Sequence, residues 1–155
     1  MRITTSLNYA TDPQTAATQA RELEAAGVDC IWIPEAYGFD AVSLLGYLAA
    51  STSTVELASG ILNTYSRTPA LLAQTAAGLD ALSGGRFTLG LGASGPQVIE
   101  GFHGMPYTMP LTRMKEIVTI CRMAWRREPL VHDGRVIVTP GGPGATVAAY
   151  DAGTG

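Results

Sequence analysis

The sequence has few charged residues and no strongly basic region. Only 15% of its 155 residues are charged, and the formal net charge is −3. A nucleic-acid-binding surface needs clustered lysine and arginine side chains, so this composition argues against a nucleic-acid partner. Hydrophobic residues make up 46% of the chain, which excludes disorder as its main state and predicts a buried core.

The patterns of metal-binding, membrane and secreted proteins are also missing. The two cysteines, Cys30 and Cys121, lie far apart without a Cys-x-x-Cys pair or a nearby histidine, so we interpret them as buried structural thiols. No apolar run reaches the roughly 18 residues of a membrane-spanning helix. The N-terminus has no basic region that leads into an apolar run, so nothing there indicates a secretory signal. We therefore expect a soluble, cytoplasmic protein with no metal site and no membrane partner.

What the sequence does contain is a repeated alternation of apolar runs and helix-forming segments. Helix starts are predicted at Asp12-Pro13 and at Thr68-Pro69, because each pair places a capping side chain before a proline. Gly27 is predicted to end the first helix in a left-handed conformation. Strands are predicted at residues 1–7, 28–33, 55–61 and 87–91, and the helices after them end near residues 26, 50, 83 and 125.

Four strand–helix units in succession predict parallel strands, whose apolar sequences suit burial on both faces. Two α/β architectures fit: an open doubly wound sheet, or the first four βα units of a (β/α)8 TIM barrel, which needs about 250 residues in full. This domain is assigned to residues 1–139, including a hairpin over residues 130–138 with its turn at Asp133-Gly134. Residues 140–155 are interpreted as a glycine-rich tail in loop or disorder.

Small and polar residues gather at residues 59–69, between the third strand and the next helix. Ligands of α/β proteins bind at the carboxyl ends of strands, so residues 60–64 are expected to line any active site. Glu35 directly follows the second strand, where a carboxylate can contact a cofactor ring or move a proton; the alternative is a helix-start or surface acid. His103 is interpreted as a packing or capping residue.

A glycine-rich loop follows the fourth strand. Gly90, Gly92 and Gly95 match the G-x-G-x-x-G pattern that holds a pyrophosphate in NAD(P)-binding Rossmann domains. The match is incomplete, because the pattern follows the fourth strand rather than the first, Pro96 comes next, and no strand-ending acid lies about 20 residues on. Three interpretations stay open at this point: a Rossmann domain, a cofactor loop on a barrel strand, and a plain turn.

Several runs resemble the luciferase-like monooxygenase superfamily. They cover residues 58–69 and 73–75 and the run Leu-Asp-Ala-Leu-Ser-Gly-Gly-Arg-Phe at residues 79–87. The continuation at residues 89–104, with Gly-Ala-Ser-Gly-Pro-Gln, is similar to the branch that uses the deazaflavin coenzyme F420. The resemblance extends over about residues 1–138, which correspond to the N-terminal half of the family's barrel.

The resemblance implies a βα barrel with a deazaflavin or flavin ring at the carboxyl ends of its strands. A cis peptide between Gly60 and Ile61 is expected to support the ring, with Asn63 and Thr64 within hydrogen-bond reach. Glu35 matches an acidic position of the family, so Glu35 and Asn63 are the expected catalytic contacts. The expected cofactor loop is residues 92–95, which are Gly92, Ala93, Ser94 and Gly95.

The resemblance also implies a function. The chain is expected to be an oxidoreductase that passes a hydride between coenzyme F420, or alternatively FMN, and a small organic substrate. The competing hypotheses are a non-catalytic half-barrel and an NAD(P)-binding domain. A half-barrel has open edges at its first and fourth strands, and a second copy or a second half could pair there to complete the barrel.

Overall fold

The computed structural model describes residues 1–8, 11–132 and 135–138. Strands and helices alternate along the chain, as the sequence predicts. In chain order the elements are β1 (Thr4–Ser6), α1 (Pro13–Ala25), β2 (Cys30–Ile33), α2 (Ala41–Ser51), β3 (Glu56–Ser59), β4 (Leu62–Asn63), α3 (Pro69–Ser83), β5 (Phe87–Thr88), β6 (Leu91–Gly92), α4 (Pro96–Ile99), α5 (Pro110–Trp125), β7 (Leu130–His132) and β8 (Arg135–Val138).

The main sheet has four parallel strands in the order β1-β2-β3-β5. Within this sheet, each strand lies beside the one that comes before it along the chain. In a doubly wound sheet, by contrast, the spatial order of the strands reverses at one point. The fold is therefore an α/β arc of the TIM-barrel type, which confirms the barrel prediction. β1 and β5 form its two edges, as expected for a partial barrel. This topology contradicts the Rossmann interpretation of the glycine-rich loop.

The helix boundaries follow from local capping. Asp12 accepts a hydrogen bond from the amide of Thr15, and Thr68 accepts one from the amide of Leu71, with a proline next in each case. Both predicted helix starts are confirmed. Gly27 has a φ of +82°, which confirms the predicted left-handed residue after α1.

The core lies between the sheet and the helices, where α2 packs between α1 and α3, and α3 packs against α5. The indole of Trp125 donates a hydrogen bond to the carbonyl of Ala73, which joins α5 to α3. Cys30 and Cys121 are buried and unpaired, as predicted, and burial raises the pKa of Cys121 to about 11. The largest fully buried apolar side chains are Ile31, Ile33, Leu45, Leu48, Leu57, Leu62, Leu72, Ile99 and Ile117.

The edge strands differ from the predicted pattern. β1 has exposed residues at Thr4 and Ser6, and β5 is exposed at Thr88. The expectation that every strand is buried on both faces is wrong for these two, because an edge strand has a neighbour on one side only. The predicted third and fourth strands, residues 55–61 and 87–91, are also shorter in the structure. A separate parallel pair, β4–β6, forms at Leu62–Asn63 and Leu91–Gly92, so that β4 lies beyond the predicted end of the third strand.

The predicted C-terminal hairpin is present, since β7 and β8 pair antiparallel. Its turn at Asp133-Gly134 and the tail at residues 140–155 lie outside the described residues. Across the described ranges, no helix is long and apolar enough to cross a membrane. The same part of the chain contains no group of three or more histidine, cysteine, aspartate or glutamate residues placed to hold a metal ion.

Glu24, near the end of α1, fixes the entry to β3. Its Oε1 accepts hydrogen bonds from the amides of Ser53, Thr54 and Val55, at 2.8, 2.5 and 2.9 Å. Partial burial acts to raise the pKa of Glu24, but these hydrogen bonds outweigh it and lower the pKa to about 2. The ionised carboxylate therefore stabilises the fold above the ordinary glutamate pKa, and this stability is lost as pH falls toward 2.

We expect Glu24→Gln to lower the free energy of unfolding at pH 7 by about 1–2 kcal/mol, a value reduced by solvent screening of this partly exposed group. The difference from the wild type should shrink from pH 4.5 to pH 2, and urea unfolding across this range measures it. Glu22→Gln, at an exposed position of the same helix, is the control and should have little effect. A difference that stays constant across the range would contradict the assignment.

Candidate functional site

The third strand contains a bulge between β3 and β4. Ala58 pairs with Thr88 and Leu62 pairs with Leu91, so four steps along the third strand lie opposite three along the fourth. The extra residue lies at Gly60-Ile61, where the peptide bond is cis. This confirms the cis peptide that the family resemblance implied.

The fourth strand lies so close to this bulge that Gly90 and Gly92 have no room for a side chain. A Cβ atom on Gly90 would lie 2.0 Å from the carbonyl oxygen of Ser59, and one on Gly92 would lie 2.5 Å from Cγ1 of Ile61. A Cβ on Gly60 would lie 3.3 Å from the ring of Trp32. Two glycines of the G-x-G-x-x-G pattern are thus required by packing between strands, which is a sufficient reason for their presence.

Ser59 joins the two strands through one hydroxyl group. Its Oγ accepts a hydrogen bond from the amide of Gly90 at 2.8 Å and donates one to the carbonyl of Gly90 at 2.9 Å. Beyond the bulge, the amide of Leu62 donates to the carbonyl of Gly90, and the amide of Thr64 donates to the carbonyl of Gly92. The backbone from Ser59 to Thr64 is therefore fixed against the fourth strand.

Asn63 and Thr64 have buried side chains with unused hydrogen-bonding atoms. Their exposed fractions are 2% and 0%. Oδ1 of Asn63 accepts from the amide of Tyr65 at 2.7 Å, but Nδ2 of Asn63 and Oγ1 of Thr64 have no partner among the described residues. An unpaired buried polar group costs about 1–3 kcal/mol, so such groups are expected to meet a ligand or water.

Glu35 lies in a nearly buried ion pair with Arg67. The two guanidinium nitrogens of Arg67 donate to the two carboxylate oxygens at 2.6 Å each, and Oε1 also accepts from the amide of Ala41 at the start of α2. The hydrogen bonds from Arg67 to Glu35 raise the pKa of Arg67. Glu35 is thus held between Arg67 and the start of α2, and its catalytic role stays a prediction.

An open cavity of about 390 Å³ lies beside this ion pair. Phe39, Leu71 and Phe102 contribute apolar surface to it, and Ser66 and His103 contribute polar groups. The ring of His103 packs against that of Phe102 at 5.1 Å between centroids, in line with the predicted packing role.

The two expected catalytic residues do not line the same cavity. Glu35 lines it, whereas Asn63 and Thr64 do not. Ser66 connects the cavity to the backbone of Asn63. It lines the cavity, and its hydroxyl contacts the carbonyl of Asn63 at 3.4 Å.

The proposed cofactor loop follows β6. Ser94 has a φ of +56°, which is uncommon for a residue other than glycine. Its carbonyl accepts a hydrogen bond from the hydroxyl of Tyr107 at 3.2 Å. Gly95 precedes α4, which has only four residues. Gly92 lies against Ile61 of the bulge, and the binding role of residues 92–95 stays a prediction.

Sequence reasoning missed the residues that hold the site. Arg67, Tyr107 and Arg113 all contact predicted site residues or their neighbours. Only Arg67 could have been found from the sequence, because it is the single cation in residues 59–69 and Glu35 follows the second strand. The other two come from a segment without a distinctive motif.

A sequence model of the family described as luciferase-like monooxygenase matches residues 1–151. The chain belongs to this family. A Mycobacterium tuberculosis family relative named as a coenzyme F420-dependent oxidoreductase is 42% identical over 130 residues, which are 83% of this chain and 38% of that protein. The 5,10-methylenetetrahydromethanopterin reductase of Archaeoglobus fulgidus is 36% identical over 114 residues, or 73% of this chain and 34% of the reductase. This luciferase-like chain therefore spans well under half the length of these relatives.

Solved structures support the same fold. The coenzyme F420-dependent tetrahydromethanopterin reductase of Methanopyrus kandleri superposes with a TM-score of 0.79 at 24% identity, over 90% of this luciferase-like chain and 44% of the reductase. The FMN complex of the oxygenating part of 3,6-diketocamphane monooxygenase from Pseudomonas putida gives 0.76 at 21% identity, over 88% and 42% of the two chains. Both likenesses are evidence of the fold.

We expect Gly90→Ala to destabilise the fold by about 2–3 kcal/mol, because the added methyl group meets a backbone oxygen that cannot rotate away. Gly92→Ala should cost less, since the added group meets the side chain of Ile61 rather than the backbone. Gly78→Ala in α3, with open space around its Cβ, is the control and should stabilise by about 0.5–1 kcal/mol. Urea unfolding measures all three, and a Gly90→Ala variant as stable as the wild type would refute the packing argument.

We expect Arg67→Met to destabilise the fold by about 3 kcal/mol, because it leaves the carboxylate of Glu35 nearly buried without its cation. Arg2→Met breaks the exposed ion pair with Glu56 and should cost far less, because solvent screens that pair. Adding Glu35→Gln to Arg67→Met should recover part of the loss. Equal losses in Arg67→Met and Arg2→Met would show that burial of the pair contributes nothing.

Proposed function

We propose that this chain forms the cofactor-binding part of an oxidoreductase that uses coenzyme F420 to transfer a hydride to or from a small organic substrate. The observation that carries the proposal is that Nδ2 of Asn63 and Oγ1 of Thr64, shortly after the cis Gly60-Ile61 bulge, have no partner in the part of the chain that the structure describes. They lie at the carboxyl end of a parallel strand, where barrel enzymes bind ligands.

These atoms suit the polar edge of a deazaflavin ring. Such an edge presents carbonyl oxygens and ring nitrogens, which the amide of Asn63 and the hydroxyl of Thr64 can bind by donating or accepting hydrogen bonds. Gly60 and Ile61 would support the ring from the bulge. Residues 92–95 would hold the adjoining part of the coenzyme.

Bound coenzyme would supply the hydride chemistry, and the residues of this chain would bind, orient and shield it. Glu35 is proposed as a polar contact for the substrate. A carboxylate has about four acceptor positions, and the hydrogen bonds from Arg67 and Ala41 use three of them. The remaining position on Oε2 can accept a hydrogen bond from a substrate hydroxyl group in the cavity.

The choice of coenzyme F420 over FMN rests on the relatives. The protein named as a coenzyme F420-dependent oxidoreductase is 42% identical to this chain. The FMN-bound structure is 21% identical and supports the fold alone. Both coenzymes share the polar ring edge that Asn63 and Thr64 would bind, so a direct comparison of the two ligands is required.

We expect the chain to bind coenzyme F420 saturably in equilibrium dialysis, and more tightly than FMN or NADPH. Thr64→Val should weaken binding roughly tenfold, because a methyl group cannot form the hydrogen bond to the ring. The same variant should be as stable as the wild type or more stable in urea, since it removes an unpaired buried hydroxyl group. Thr119→Val, at an exposed position of α5, should leave binding unchanged.

The other outcomes are equally informative. Binding of none of the three ligands would favour the non-catalytic half-barrel, and binding of FMN alone would replace the coenzyme. Sedimentation of the same samples tests whether a second copy pairs with the open edges at β1 and β5. A Thr64→Val variant that binds coenzyme F420 as well as the wild type would remove Thr64 from the site.

A further inference from the structure

The first turn of α5 contacts the backbone of the proposed site. Nε of Arg113 donates a hydrogen bond to the carbonyl of Thr64 at 2.9 Å. The guanidinium carbon of Arg113 lies 4.6 Å from the ring centroid of Tyr65, within cation–π range. Thr64 is therefore held on both sides, because its amide donates to the carbonyl of Gly92 at 3.0 Å.

Tyr65 extends this contact to the segment before α5. Its hydroxyl donates to the carbonyl of Thr108 at 2.6 Å, and its ring lies 5.3 Å from that of Tyr107. The hydroxyl of Tyr107 in turn donates to the carbonyl of Ser94. One segment, residues 107–113, thus contacts both parts of the proposed coenzyme site, the corner after the bulge and the loop after β6.

We infer that Arg113 is a positioning residue for the coenzyme site, an inference that rests on the proposed function. It forms no hydrogen bond with Nδ2 of Asn63 or Oγ1 of Thr64, and it acts through the peptide of Thr64 and the ring of Tyr65. A planar guanidinium can stack on the ring and direct Nε to the carbonyl at the same time. A lysine ammonium cannot satisfy both geometries, so the shape of the group matters as well as its charge.

The alternative is that Arg113 only secures the packing of α5. The two roles predict different effects of replacing Arg113, one on the whole fold and the other on the backbone near Thr64. Loss of packing would lower the stability of the whole fold, whereas loss of positioning would loosen the backbone at Thr64 and Tyr65 and leave the rest protected. Hydrogen exchange at single amides distinguishes these outcomes without any ligand.

We expect Arg113→Gln to speed hydrogen exchange roughly tenfold at the amides of Thr64 and Tyr65, with the amide of Leu57 in β3 unchanged. Arg113→Lys should behave similarly, and guanidinium ions should partly restore protection in Arg113→Ala. Arg122→Gln, at an exposed position of the same helix, is the matched control. Uniformly faster exchange, or no change at Thr64, would overturn the positioning role.

Coenzyme binding provides the second measurement. Arg113→Gln should weaken F420 binding roughly tenfold, and its effect should largely disappear in a Thr64→Val background, because the two residues act on the same contact. A wild-type chain that binds no F420 would refute the proposed function, while the exchange result would still decide the role of Arg113 in fixing the corner. Full binding by Arg113→Gln in a wild-type background would overturn the inference.

Discussion

The double hydrogen bond between Ser59 and Gly90 is the contact on which the candidate site depends. One hydroxyl group satisfies both backbone groups of Gly90, and the closeness of the strands leaves no room for a Cβ there. The third strand therefore takes up its extra residue at the bulge and resumes pairing at β4. This arrangement buries Asn63 and Thr64 beside the fourth strand, so the position of the polar groups of the site is set by how the two strands pack.

Local signals allowed much of the fold to be predicted, and long-range pairing explains what was missed. Asp12 and Thr68 cap their helices through bonds to residues three positions away, so both starts could be predicted. The break in the third strand depends on a partner about 30 residues further on, which periodicity does not reveal. The pattern Gly90, Gly92 and Gly95 was ambiguous for the same reason, because spacing alone does not identify the strand that the glycines face.

The site was predicted in part. Its corner was predicted from small and polar residues at a strand end, its cis peptide from the family resemblance, and Glu35 was expected at a strand end. The contact of Arg67 with both oxygens of Glu35 was missed, because the two residues are 32 positions apart and their charges were the one sequence signal for the pair. The ion pair holds the carboxylate of Glu35 in place at the edge of the cavity. The burial of Nδ2 of Asn63 and Oγ1 of Thr64 without a partner among the described residues is likewise a property of the folded chain.

The two tryptophans of the chain lie in separate environments, and this gives the protein two internal optical probes. Trp32 lies against Gly60 at the bulge, next to the proposed ring site. Trp125 joins α5 to α3 through its bond to Ala73, on the helical layer. Intrinsic fluorescence therefore contains one signal from the site and another from helix packing. Replacing either indole with phenylalanine would separate ligand-induced changes from unfolding within a single chain.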